Sequence, residues 1–228
     1  MTQNIITIDG PSGAGKSTIC KKLAALLNMD CLDTGAMYRV VAWYIRKHEK
    51  EDLSGSALAL FLTSLYFEIE GQGQGQRVWV EGEEISQQIR TPEISLSASL
   101  FSMQPEVRTF LAEKQRALGE KGGLVAEGRD MGTVIFPQAR YKFFLTAEVS
   151  VRAYRRYMEL LERGQKVSLE KVRQEMEERD FQDEQRALAP LRPAPGAIII
   201  DSSGLSIEEV VEKMGVVLKE GKFKELFD

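Results

Sequence analysis

The chain has 228 residues, 43% of them hydrophobic and 28% charged, and a formal net charge of −4. That length and apolar content suit one large globular domain with a substantial core and room for an insertion, and the slightly acidic balance excludes a general binder of nucleic acid or anionic membranes. Cys20 and Cys31 stand in no metal-like or redox-like spacing and read as reduced core residues, while His48 as the sole histidine excludes histidine pairs and histidine-rich metal sites.

The run "IITID" at 5–9 predicts a short strand, and a glycine-rich turn leads from it into a helix over "KSTICKKLAALLN". "MDCLDTG" predicts a second short strand, followed by a helix over "AMYRVVAWYIRKH". This strand–helix–strand rhythm predicts a parallel sheet covered by helices. In the middle the rhythm changes. "LYFEIE" and "RVWVEG" alternate apolar and polar residues, and "GQGQGQ" at 71–76 reads as the tip of a hairpin between them, so residues 63–95 are expected to form a small antiparallel insertion. Helical periodicity returns over 105–120, followed by the strands "GGLVAEG" and "YKFFLTA". A charge-rich helical stretch runs from 150 to 186 with a break near "RGQKVS". "GAIIIDSSG" reads as a last core strand and "SIEEVVEKMGVVLKE" as a closing amphipathic helix capped by Ser206. No run reaches the ~20 apolar residues of a membrane span, and the N-terminus has no basic leader-like region. A soluble, cytoplasmic protein is expected.

The strongest motif is "GPSGAGKS", Gly10 to Ser17, with a strand before it and a helix after it. Its glycines let backbone N–H groups turn inward around an anion, and the helix N-terminus adds its dipole. Lys16 then reaches the outer phosphates and the Ser17 hydroxyl can ligate Mg²⁺. An ordinary glycine-rich turn is the bland alternative, and the strand and helix on its two sides argue for a nucleoside triphosphate site. Asn4 and Asn28 are the only asparagines, so the guanine-reading Asn-Lys-x-Asp of a GTPase is missing. "DSSG" at 201–204 is better explained as a turn into the last helix than as a GTPase motif. Motor-type and transporter-type ATPases need a partner-coupling module and an apolar strand ending in a metal-binding acid. Asp33 and Asp130 are candidates for such an acid, but the module is lacking. A small-molecule kinase fits best.

In open parallel sheets ligands bind beyond the carboxyl ends of strands. Asp33-Thr34-Gly35 follows one predicted strand and Arg129-Asp130 another, so both are expected to open into a crevice with the phosphate loop. Arg39, on the helix after Asp33, can grip a phosphate with its bidentate fork. Structural ion pairs are the competing explanation for each of these charges. Arg179, Asp183 and Arg186 share one helix face, where a solvated row of salt bridges would contribute little. Arg152, Arg155, Arg156 and Arg163 lie around the helical break, where a mobile lid for phosphoryl transfer needs its arginines.

Taken together, "IDGPSGAGKST", "LDTGAMYR", "IRTPE", "GRDMGTVIFP", "RDFQDEQRALAPL" and "IIIDSSGLSIEEV" closely resemble the bacterial cytidylate kinases over nearly the whole chain. The resemblance implies the nucleoside monophosphate kinase fold, a three-layer α/β/α architecture on a five-stranded parallel sheet. A single phosphate-loop kinase domain over 1–228 would carry a CMP-binding insertion at about 63–105 and a short helical lid at about 152–168. It implies ATP-dependent phosphorylation of CMP and dCMP with Mg²⁺, by a monomer that engages neither nucleic acid nor membrane. ATP would be held by Gly10, Pro11, Ser12, Gly13, Ala14, Gly15, Lys16, Ser17 and Thr18, and the metal by Ser17 and Asp33. Ser99, Arg108 and Asp130 would face the cytosine, with Thr34, Tyr38 and Gly128 beside the nucleotide. Arg39 and Arg129 would hold the acceptor phosphate, with Arg179, Asp183 and Arg186 around ribose and phosphates. Catalysis would fall to Lys16, Arg129, Arg179 and Arg155. Two positions depart from the family pattern: Ser17 stands where glycine is common, restoring a metal-binding hydroxyl, and Thr34 stands where serine is common. Two other readings remain at this point, a kinase of a different small acceptor and a regulatory NTP-binding module without turnover.

Overall fold

Ile5–Asp9 form β1, and all five residues are buried, as expected of a strand covered on both faces. The computed structural model that contains it describes residues 4–70 and 77–220, so the "GQGQGQ" stretch lies outside the described residues. The chain divides into two compact units, Met1–Leu32 with Gly122–Asp228, and Asp33–Lys121.

In the first unit β1 is the centre of a five-stranded sheet ordered β2-β6-β1-β7-β8. Its partners are β2 (Asp30–Asp33), β6 (Leu124–Gly128), β7 (Tyr141–Thr146) and β8 (Ile198–Asp201). The β1–β6, β1–β7 and β7–β8 pairs are parallel, with Ile8 beside Glu127 and Asp9 beside both Gly128 and Phe144. The chain leaves β1 toward β2 on one side and later continues through β7 to β8 on the other. The strand order therefore reverses at the carboxyl end of β1, where open α/β sheets bind their ligands. Helices α1 (Lys16–Leu27) and α8 (Ile207–Glu220) bury Ile19, Leu23, Leu27, Val210, Met214 and Leu218 with Ile6, Ile8, Val125, Phe143 and Leu145 of the sheet. Each such side chain contributes about 1.5–3 kcal/mol of burial. Ser206 caps α8 as expected: its Oγ accepts the Glu209 N–H at 3.2 Å, and its own N–H donates back to Glu209 at 2.7 Å. The expected last core strand is corrected: β8 is an edge strand in which Ile200 alone is buried, because only one neighbour covers it.

In the second unit α2 (Thr34–Lys47) buries Met37, Val40, Val41 and Tyr44. Packed with it are α3 (Gly55–Leu62), α4 (Pro92–Phe101) and α5 (Pro105–Glu120), together with an antiparallel sheet of β3 (Phe67–Glu70), β4 (Arg77–Val80) and β5 (Glu83–Glu84). The antiparallel reading of 63–95 is met by the three strands but not by α4, whose start signals lie in the sequence. Thr91 Oγ1 accepts the Ile94 N–H at 3.3 Å, and Pro92 and Glu93 follow in the first turn. The compact unit is wider than the expected 63–105 insertion because α2 and α5 pack within it.

Candidate active site

The loop after β1 is shaped by close approach. Gly10 has φ +150°, and a Cβ built on it would lie 2.0 Å from the Leu145 carbonyl oxygen of β7, so no larger residue fits. Gly15, in the left-handed conformation, turns the chain into α1 and leaves the helix's first N–H groups available to an anion. Lys16 is buried, and its ammonium donates to the Pro11 carbonyl at 2.7 Å. Burial, with the Arg129 and Arg179 guanidiniums beside it, pushes the lysine down to about 7 against the pull of Glu127 and Asp183. Such a crowd of cations is relieved by a bound polyphosphate.

The Ser17 hydroxyl donates to Glu127 Oε1 at 2.6 Å. Glu127, which sequence reasoning passed over, is the acid that ends the apolar strand β6, three residues before the candidate Asp130 and in register with Ile8. The signal that could have found it is its place as the last charged residue of the buried run before Gly128. Asp33 serves locally: its Oδ1 accepts the Ala36 N–H at 2.9 Å as the α2 cap, and its Oδ2 lies 3.6 Å from Arg39. Of the expected metal pair Ser17 and Asp33, Ser17 is in contact with the Glu127 carboxylate, and Asp33 caps α2 beside Arg39. Among the described residues no group of three or more His, Cys, Asp or Glu side chains could hold a metal alone. A hydroxyl and a carboxylate in contact nevertheless fit Mg²⁺, which takes one or two protein oxygens and completes its shell with phosphate and water.

Arg129 follows β6, and its Nε donates to Asp183 Oδ2 at 2.8 Å. Arg186, just past the end of α7 (Leu169–Gln185), lies 3.6 Å from Asp183 Oδ1. Burial alone would raise Asp183, but Arg129, Arg179 and Arg186 outweigh it and hold the carboxyl below its ordinary range. Burial would lower Arg129, but Asp183 more than offsets this and holds it above its ordinary value. A solvated salt-bridge face is thereby excluded, since the Arg186 and Asp183 side chains are only 6% and 8% exposed. From α6 (Val149–Glu162), Arg152 donates to Ala147 O at 2.8 Å and to the loop carbonyl Ser12 O at 3.1 Å, and it pairs with Asp180 of α7. Arg155, expected among the catalytic residues, donates to Ser202 O at 2.7 Å on the turn after β8. Lying a turn nearer the start of α6, Arg152 is the helix's arginine in contact with the loop. Arg156 and Arg163 pair with Glu159 on the same helix. Asp201 accepts the Ser203 N–H and hydroxyl at 2.9 and 2.6 Å, so "DSSG" is a turn into α8, as read.

In the second unit three of the expected nucleotide residues come together. The Arg108 guanidinium of α5 lies 5.9 Å from the Tyr38 ring centre of α2 and donates to Ser102 O at 3.2 Å. The Ser102 hydroxyl in turn donates to Ser99 O at 2.7 Å. Thr34 is buried at the start of α2, and the buried Arg39 Nε has no hydrogen-bond partner among the described residues. That leaves a donor for an anionic ligand.

A switch-point phosphate loop, with a buried lysine and arginines converging on it, defines a phosphate-loop kinase. More particularly, the cytidylate kinase family model matches residues 6–220, and the chain belongs to that family. A cytidylate kinase of Pseudomonas syringae pv. tomato is 48% identical over 212 residues, covering 92% of this chain and 93% of its own. One of Escherichia coli K12 is 46% identical over 209 residues, covering 92% of each. Among solved structures, an uncharacterized protein from Eubacterium ventriosum matches with a TM-score of 0.52 and 14% identity, covering 96% of this chain and 99% of its own, a likeness of fold alone.

Proposed function

We propose that the chain transfers the γ-phosphoryl group of ATP to CMP or dCMP, giving ADP and CDP or dCDP. The observation that carries this reading is the cationic cluster of buried Lys16 with the half-buried Arg129 and Arg179, held together by Asp183 beside the phosphate loop. ATP binding alone does not call for arginines from β6 and α7, whereas phosphoryl transfer to a second phosphate does. The acceptor oxygen is already ionised near neutrality, since a monophosphate's second pKa is about 6. No general base is required, in keeping with His48 lying outside every motif. Lys16 and the loop amides hold the donor phosphates, Arg129 and Arg39 bind acceptor phosphate, and Arg179 and Arg186 neutralise developing charge. Ser17 and Glu127 would hold Mg²⁺, which when bound would supply charge neutralisation and alignment of the triphosphate.

Asp130 is buried two residues past the end of β6, and in this reading it faces the base. Its carboxylate accepts from the exocyclic amine of cytosine, a group that uracil lacks. A buried acceptor left unpaired costs ~1–3 kcal/mol, a preference for CMP over UMP of roughly ten- to a hundredfold. Tyr38, Ser99 and Arg108 form the nucleoside-binding cluster of the second unit, and residues 152–168 act as the lid. The family resemblance extends the reading to a cytoplasmic monomer.

The test is ADP release from ATP·Mg²⁺ with CMP, dCMP, UMP, AMP, GMP, dTMP or shikimate as acceptor. Strong stimulation by CMP and dCMP and weak stimulation by UMP is expected. Preference for another acceptor overturns the base reading, and no stimulation by any overturns the kinase reading.

A further inference from the structure

Asp9 has no part in the mechanism above, yet it is a buried acid one residue before the phosphate loop, 2% exposed at the carboxyl end of β1. Both of its oxygens are engaged. Oδ1 accepts the Met131 N–H and Oδ2 the Gly132 N–H, each at 2.8 Å. These are the two amides directly after Arg129-Asp130, where the chain turns from β6 into the wide helical turn Met131–Ile135. The fit is close. A Cβ at Gly132 would lie 3.0 Å from Thr7 Oγ1, 3.1 Å from the Ala194 Cβ and 3.3 Å from Asp9 Oδ2, so glycine lets this backbone approach the carboxylate.

The placement is costly. Burial pushes Asp9 up to about 6, only partly countered by the two N–H donors, and the neighbouring Asp130 pushes it further. A hydrophobic residue would fill a strand end at less cost, so two acids held close together here point to a positional requirement.

We infer that Asp9 is a positioning residue for base selection: its two-point grip on residues 131 and 132 fixes the backbone that aims Asp130 at the acceptor base. Because the grip starts one residue before Gly10, it ties the acceptor-reading segment to the strand that carries the donor loop. The inference rests on the proposed reading of Asp130.

The experiment compares Asp9→Asn, Gly132→Ala and Asp130→Asn by kcat and KM for CMP, UMP and ATP, with melting temperatures. Asparagine keeps the shape of Asp9 but offers one acceptor oxygen and turns its amide N–H groups toward a backbone donor. Gly132→Ala crowds the same segment against Thr7, Ala194 and Asp9 Oδ2 and so displaces it without touching the Asp9 charge. Each of these two is expected to lower the CMP/UMP ratio of kcat/KM by about fivefold or more while KM for ATP stays within about twofold. A role confined to stability would scale all substrates together. If Asp130→Asn leaves the CMP/UMP ratio unchanged, the base-reader assignment fails and the inference with it. If Asp130→Asn collapses the ratio while folded Asp9→Asn keeps it, or lowers the ATP and CMP parameters by the same factor, the positioning role is overturned. Should Asp9→Asn not fold, Gly132→Ala decides by the same criterion.

Discussion

At the residue scale, the candidate site depends on a few side chains whose environments differ sharply from water. Lys16 sits among like charges, so its interaction with donor phosphates gains most as those charges develop and are neutralised. Lys16→Ala is expected to lower kcat by at least ~10²-fold in a folded protein; wild-type turnover in steady-state assays would remove Lys16 from the transferring group. Glu127 accepts the Ser17 hydroxyl at 2.6 Å. Glu127→Gln keeps a hydrogen bond but loses the charge, and should raise the Mg²⁺ concentration for half-maximal rate about tenfold. Nucleotide affinity in EDTA, followed by fluorescence, should not change. An unaltered metal requirement would make the Ser17–Glu127 contact purely structural.

At the element scale, what locates the chemistry is where strands end and helices begin. β1 and β6 pair in register, which brings Glu127 beside the strand that feeds the phosphate loop and leaves Arg129-Asp130 just past the sheet. Helices α6 and α7 pack together, and the Arg152–Asp180 pair joins them while Arg152 also reaches Ser12. That contact gives the proposed lid a direct connection to the donor loop. Away from the site, the α8 cap is a local device: Ser206→Ala removes the acceptor for the Glu209 N–H. A loss of about 1 kcal/mol is expected, or a fall in melting temperature of about 2–4 °C, with kcat unchanged. A larger fall would mean that the turn after β8, to which Arg155 is bonded, depends on the same serine.

At the scale of the whole molecule, buried ionisable groups set how stability follows pH. Asp9 is raised from 3.8 to about 6 in the folded chain. Between those values the folded state still holds the proton that the unfolded state has released, so this group's contribution falls as pH rises and is lost above about 6. Relative to Asp9→Asn, the wild type should lose up to about 3 kcal/mol between pH 4 and pH 7 in urea unfolding. A constant difference across that range would show that Asp9 does not titrate there. Asp183 acts in the opposite sense. Its lowered value makes its contribution complete above its ordinary carboxylate range and lost only in stronger acid.

Much was legible in the sequence because the signals are local. The strand–loop–helix of residues 5–27 is written in β-branched residues, glycines and one lysine, and the Ser206 cap in a four-residue pattern. Which acid meets Ser17, which α6 arginine touches the loop, and what Asp9 holds were not legible, because those contacts join residues far apart in the chain. The Ser17–Glu127 bond spans 110 positions and the Asp9–Met131 bond 122. Local propensity carries no record of such a distance; parallel pairing of β1 with β6 creates it. The sequence by itself determined most of the elements, though not α3 and α4, together with the phosphate loop and the supply of arginines. Tertiary structure alone decided which charges are buried and therefore paired, since the cost of burying an ion has to be met by whatever partner the fold brings within reach.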